Sequence, residues 1–202
     1  MKYRVITPPT TEPITLAEAR THLRIEPFGS PLEHPDDTYV ATNISMAREF
    51  CEQYLERALA TQTIQMVVDN FNSEIYLPNA PIQSVDSITY VDVNGVTQTL
   101  APTVYELDAY DNKIRLQYGQ VYPAVRSQED TVTVTFTAGY TNGASPDTYP
   151  TPAPIKAAML LIIGNLYENR QQDVLGNTRI SFNSLPLGIY NLLQPYRLGM
   201  GC

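Results

Sequence analysis

The chain has 202 residues and a formal net charge of −8, with no stretch that concentrates lysine and arginine, so its overall balance excludes a basic nucleic-acid footprint. A hydrophobic fraction of 43% argues against disorder and suffices for one substantial core, or for one core plus a smaller module. Two distant cysteines, Cys51 and Cys202, make neither a disulfide framework nor a zinc site and point to a reducing compartment, and no apolar leader follows the first charges.

The first predicted element is a helix in ITLAEARTHLRI, where Thr15 followed by Glu18 forms a capping-box pattern. A proline- and charge-rich loop leads to a second helix, from Asp36 or Asp37 to about Leu55. Its stripe of Val40, Ile44, Ala47, Cys51, Tyr54 and Leu55 forms one buried face, and Asp36-Asp37 is expected to cap it.

From Thr61 to Thr137 the period changes. TVTVTFT, Thr131–Thr137, alternates strictly, with Val132, Val134 and Phe136 on one face and threonines on the other. Asn94-Gly95 lies between two β-rich runs and is expected to make a type I′ turn with both residues at positive φ. Further strands are expected near 63–68, 104–107 and 113–117, paired antiparallel because the connections are too short for crossover helices. A connector, 141–154, precedes a third helix that starts at Pro154 and runs to about Arg170. A last helix, 187–194, is expected to stop at Pro195.

The third helix is apolar on two sides. Stepping about 100° per residue from Ile155, Met159, Ile162 and Leu166 return to one face. Ala157, Leu160, Leu161, Gly164 and Tyr167 gather on the opposite face. The apolar run 157–163 would span only about 10 Å as a helix, against roughly 30 Å of bilayer hydrocarbon, so no membrane span is expected. Two readings stay open: a central helix enclosed by its own chain, or a helix with one face toward a neighbouring subunit.

Signatures of chemistry are absent from the sequence. It has no phosphate-cradling G-x-x-x-x-G-K-[ST] and no G-x-S-x-G nucleophile elbow. His22 and His34 lack metal-ligand spacing. The carboxylate pairs Asp36-Asp37, Glu129-Asp130 and Asp108 with Asp111 read as caps and turns rather than as acid–base pairs. Cys51, on the helix stripe, reads as a small core residue. No enzymatic activity, metal or cofactor is expected. Fourteen tyrosines without a tryptophan suit either interfaces or sheets.

Three stretches, in order, resemble the head–tail connector (adaptor, head-completion) proteins of long-tailed bacteriophages. PITLAEARTHLRI resembles their opening helix, PAPIKAAMLLIIGNLYENR their hallmark helix, and LPLGIYNLLQPYR their closing motif. The β-rich middle resembles the longer version of the family. The resemblance implies an α+β fold with a helical body formed by N- and C-terminal helices and an inserted antiparallel β module. The expected division is 1–60 helical, 61–140 β-rich and 141–202 helical.

The resemblance also implies a structural role at the head–tail junction of a virion assembled in the host cytoplasm. Family members form a ring, usually of about twelve copies, below the portal protein and above the next neck or tail protein. The ring extends the channel through which DNA passes without specific binding. About twelve copies at −8 total roughly −96, a charge that would repel DNA rather than grip it. A ring subunit presents different surfaces to its two neighbours, which suits a helix with two apolar faces. The subunit could be monomeric until the portal organises the ring.

The implied subunit-interface candidates are Ala157, Leu160, Leu161, Gly164, Tyr167, Glu168, Asn169 and Arg170. The last three could equally satisfy the end of their own helix. The implied portal-docking candidates are Leu185, Pro186, Leu192, Pro195, Tyr196 and Arg197, with Arg197 either pairing with an acid or solvated. A stopper or terminator of the same neck, or a carbohydrate-binding or hydrolytic β module, remain the alternatives.

Overall fold

The computed structural model describes residues 2–28, 33–141, 149–170 and 187–198. The fold is α+β, and the chain divides into two compact units. One comprises Met1–Thr11 with Ala60–Tyr149, and the other Glu12–Leu59 with Pro150–Cys202.

The first unit is built of antiparallel strands. They are β1 (Lys2–Thr7), β2 (Gln62–Val68), β3 (Glu74–Tyr76), β4 (Ile82–Val91), β5 (Thr97–Thr99), β6 (Tyr105–Asp108), β7 (Lys113–Leu116) and β8 (Val132–Ala138). Five form a sheet in the order β1-β2-β8-β4-β5, and three form a second sheet in the order β3-β7-β6. β8 lies at the centre of the larger sheet, and its strict alternation gives it one face on the core. Val132, Val134 and Phe136 are fully buried on one face, while Thr133, Thr135 and Thr137 stay half-buried on the other.

β1 was not among the expected strands. Its six residues are all exposed, and its only strand partner among the described residues is β2, with Tyr3 opposite Met66 and Val5 opposite Ile64. Ile6 sits in a register shift between Val5 and Thr7. Pairing rather than local pattern makes this segment a strand, which is why the sequence alone does not mark it.

The turn between β4 and β5 corrects another expectation. Gly95 has φ +84, but Asn94 is not at positive φ, so this is no type I′ turn. Gly95 N–H donates to the Asp92 carbonyl at 2.9 Å, and Asp92 N–H donates to the Val96 carbonyl at 2.9 Å. That is a three-residue loop closed by a left-handed glycine. The Asp92 carboxylate selects it by accepting from the N–H groups of Val96 and Asn94, and the Val96 bond, followed by one from the Gln98 side-chain amide, holds its acid below the usual carboxylate range. Gly139 is also dictated by its place. At φ +115, a Cβ there would lie 2.1 Å from the Ala60 carbonyl oxygen.

The second unit is helical: α1 (Leu16–Leu23), α2 (Asp37–Leu55), α3 (Ala153–Glu168) and α4 (Leu187–Leu193). The capping box forms, with Glu18 N–H donating to Thr15 Oγ1 at 3.2 Å and Thr15 N–H donating to Glu18 Oε2 at 2.7 Å. α2 buries Val40, Ile44, Ala47, Cys51 and Leu55 along its stripe. α3 packs against α1, α2 and α4. It begins one residue before Pro154, on Ala153. Pro195 does not simply stop α4, because the helix tightens into a 3-10 turn, Gln194–Tyr196, that accommodates the proline near its start.

Candidate interaction surfaces

The two faces of α3 have different fates. Ile155, Met159 and Ile162 are buried with Ala158 and Ile163, so this face is core. Leu166, expected on the same face, is half-buried. On the opposite side Ala157 is exposed, Leu160 half-buried, and Leu161 44% exposed. Gly164 instead lies against α1, where a Cβ would meet His22 Nε2 at 3.4 Å. The expected second face therefore splits into an open half around Ala157 and Leu161 and a half occupied by the chain itself.

The end of α3 is held by a polar and aromatic cluster. Tyr167 Oη donates to Asp36 Oδ2 at 2.6 Å, and Arg170 donates to the same oxygen at 2.6 Å. The Arg170 guanidinium lies over the rings of Tyr39 and Tyr167, 4.6 Å from each centroid. Tyr39 Oη donates to the Leu166 carbonyl at 2.8 Å, satisfying one of the last acceptors of α3. The Arg170 guanidinium, and then the Tyr167 hydroxyl, hold the Asp36 carboxyl down at about 2. Asn169 satisfies Asn165 with both its N–H and its side-chain amide, at 3.0 Å each, while the Glu168 side chain is exposed.

This arrangement overturns the expectation that Asp36-Asp37 caps α2. Asp36 is the residue at the cap position, yet its side chain makes no capping hydrogen bond. Asp37 pairs with Arg20 and accepts from the His34 N–H at 2.7 Å. Each carboxylate is drawn to a guanidinium because a charged donor outcompetes a backbone N–H. No sequence pattern links Asp36 to Arg170 across 134 positions.

The closing segment packs on the end of α2. Leu198 N–H donates to the Leu55 carbonyl at 3.0 Å, and Arg57 Nε donates to the Tyr196 carbonyl at 2.6 Å. Arg197 pairs with Glu56 at 3.5 Å and lies over the Tyr54 ring. Leu192 is half-buried and Pro195 exposed. Leu185 and Pro186 lie outside the described residues.

Asp108, Asp111 and Asp130 of the remaining carboxylate pairs are engaged in turns and ion pairs. Asp108 accepts from the N–H groups of Tyr110 and Asp111, and Asp130 pairs with Lys2 at 2.8 Å. Burial pushes the Cys51 thiol up to about 12, which suits an inert core residue. Among the described residues no three His, Cys, Asp or Glu side chains cluster as a metal site, and no helix is long and apolar enough to cross a membrane.

No family model and no curated protein matches the chain. Solved structures do. A chain in the neck of an empty gene transfer agent particle, computed with C6 symmetry, aligns with a TM-score of 0.77 at 22% identity. The fold is that of a gene transfer agent neck chain. The alignment covers 100% of this chain and 98% of that one. A chain from the virion of the native particle aligns with a TM-score of 0.75 at 21% identity, again over 100% and 98% of the two chains. A chain in the native neck computed with C12 symmetry gives 0.69 at 21% identity with the same coverage. At this identity the likeness concerns the fold, and it spans both units.

Proposed function

We propose that the chain is a structural component of a phage-like particle neck, a ring subunit at the head–tail junction, and within that position the adaptor below the portal protein. The observation that carries this reading is the end-to-end likeness to chains from necks solved with C6 and C12 symmetry. Three ordered sequence motifs of the adaptor type support the finer assignment. Its mechanism is assembly rather than catalysis, in keeping with Asp36, Asp37, Asp108 and Asp130, which are committed to ion pairs and turns.

In this reading the open half of α3, Ala157, Leu160 and Leu161, contacts a neighbouring copy. The cluster of Tyr167 and Arg170 holds the end of that helix in place. The closing segment, including Leu192, Pro195, Tyr196 and Arg197, faces the portal from its seat on α2, and DNA passes through the ring without specific contacts. Pull-down against purified portal and tail-tube proteins tests the assignment. Capture by the portal is expected. Capture by the tail-tube protein alone would refute the adaptor position.

A further inference from the structure

The larger sheet has two open edges with opposite character. At one, β1 carries Arg4, whose guanidinium donates only to the Gln65 side-chain oxygen, at 2.8 and 3.2 Å, and has no carboxylate partner among the described residues. Lys2 on the same strand is already paired with Asp130. At the other edge, β5 covers only Thr89–Val91 of β4 and leaves the first half of β4 without a strand on that side among the described residues. Asp86 lies in that uncovered half. Its carboxylate accepts from the hydroxyls of Ser84 at 2.9 Å and Thr137 at 3.0 Å, and no cation pairs with it among the described residues.

Register places both ions on one face. Arg4 stands opposite Gln65, Gln65 opposite Thr135, and Thr135 opposite Ser87. Directly opposed residues share a face, so Arg4 belongs to the threonine side of the sheet. Asp86 reaches the same side, because it bonds to Thr137 and a register shift between Val85 and Ser87 re-aims it. Each edge also exposes apolar side chains: Tyr3 (51%) and Val5 (45%) on β1, Val93 (63%) and Val96 (52%) beside the β4–β5 turn.

We infer that these edges are the two halves of one head-to-tail contact between copies of this chain, with Arg4 of one copy facing Asp86 of the next. Three antiparallel steps separate β1 from β4, which carries Asp86, so these two strands run in opposite directions, and sheets placed side by side in one orientation bring the unlike edges together. Such a contact is heterologous, the kind that closes into a ring when the rotation per subunit allows. The occupant is a second copy because the complementary charge stands on the opposite edge of the same sheet. The Ile6 irregularity and the charged side chain of Lys2 discourage indiscriminate strand addition, so side chains rather than a new backbone ladder carry the contact. The inference rests on the ring reading above and assigns it a surface separate from α3.

The test is a charge swap in the full chain, read by native mass spectrometry and negative-stain imaging over increasing protein concentration. Wild type, Arg4→Asp, Asp86→Arg and the double variant are compared, with circular dichroism as the folding control. Each single variant is expected to fold normally and to need roughly tenfold or more protein to assemble, since it sets like charges against each other. The double variant restores a complementary pair at every contact and is expected to recover assembly. Singles that assemble like wild type, or a double that fails to recover, overturn the edge contact while wild-type rings keep the neck reading intact. Single variants that form normal rings but lose capture of a neck partner would assign the edges to that partner and overturn the inference. A wild type that stays monomeric at every concentration, both alone and with added portal protein, overturns the contact between copies, while the portal pull-down still decides the neck position.

Discussion

Asp36 and Arg170 stand 134 positions apart in the chain and 2.6 Å apart in the fold. The pair joins the start of α2 to the end of α3, and the guanidinium lies over the rings of Tyr39 and Tyr167. Arg170→Ala removes the ion pair and both ring contacts, whereas Arg170→Lys keeps a charge but loses the planar fork. Both are expected to lower the melting temperature measured by calorimetry, alanine more than lysine. Equal melting of all three proteins would show that the cluster contributes nothing.

The same pair sets a pH dependence. Asp36 is held at about 2, below its ordinary value of 3.8, by Arg170 first and Tyr167 second. A carboxyl depressed in the folded state stabilises the fold above its unfolded value, and that contribution is lost as pH falls from about 4 toward 2. Urea melts of wild type and Asp36→Asn are expected to differ most at neutral pH and to converge near pH 2. A gap that stays constant across that window would exclude the linkage.

Gly139 is expected to tolerate no side chain. Its positive φ opposes alanine, and so does the Ala60 carbonyl oxygen, only 2.1 Å from where a Cβ would sit. Gly139→Ala should cost about 3 kcal/mol or more in chemical denaturation. Gly119, also at positive φ but with open space around it, serves as the control, and Gly119→Ala should cost only about 1 kcal/mol.

Arg48 tests the buried charge of the helical unit. It is 7% exposed, donates to Glu12 at 2.8 Å and to Glu52 at 2.7 Å, and Glu52 in turn accepts from the Leu59 N–H at 2.8 Å. Arg48→Met removes the cation shared by Glu12 and Glu52, which keep their bonds from Ser45 and the Leu59 N–H, and should destabilise by about 2–3 kcal/mol in urea melts. A loss below about 1 kcal/mol would mean that water reaches the site.

Leu161 separates folding from assembly. As a 44% exposed residue on α3, it should accept aspartate with a stability change within about 0.5 kcal/mol. Met159→Ala, in the core of the same helix, should cost about 2–5 kcal/mol. Leu161→Asp is expected to melt like wild type yet fail to enter rings. A Leu161→Asp protein that unfolds instead would make that face core.

Much of the fold was legible in the sequence where local pattern and tertiary demand agree. TVTVTFT reads as a central strand because its alternation matches one buried face, and Thr15 with Glu18 reads as a helix start because the reciprocal bonds are local. β1 and β3 were missed because pairing with distant strands, rather than their own six and three residues, makes them extended. Asn94-Gly95 pointed to the right hairpin with the wrong turn, since Asp92 lies outside the dipeptide and decides the loop. On α3 the periodicity gave the Ile155–Met159–Ile162 face. It could not reveal that Gly164 and Tyr167 are engaged by His22 and Asp36, which are remote in sequence. Asp36-Asp37 was misread for the same reason, because a cap is a local partner and Arg170 is not.

The most direct measurement is electron cryomicroscopy of the neck of the particle that carries this protein, with the chain traced into the density. The expected result is a closed ring of this chain, about twelve copies, directly below the portal, with the open half of α3 against a neighbouring subunit. A neck whose density is fully explained by other chains, or this chain found elsewhere in the particle, would contradict the account.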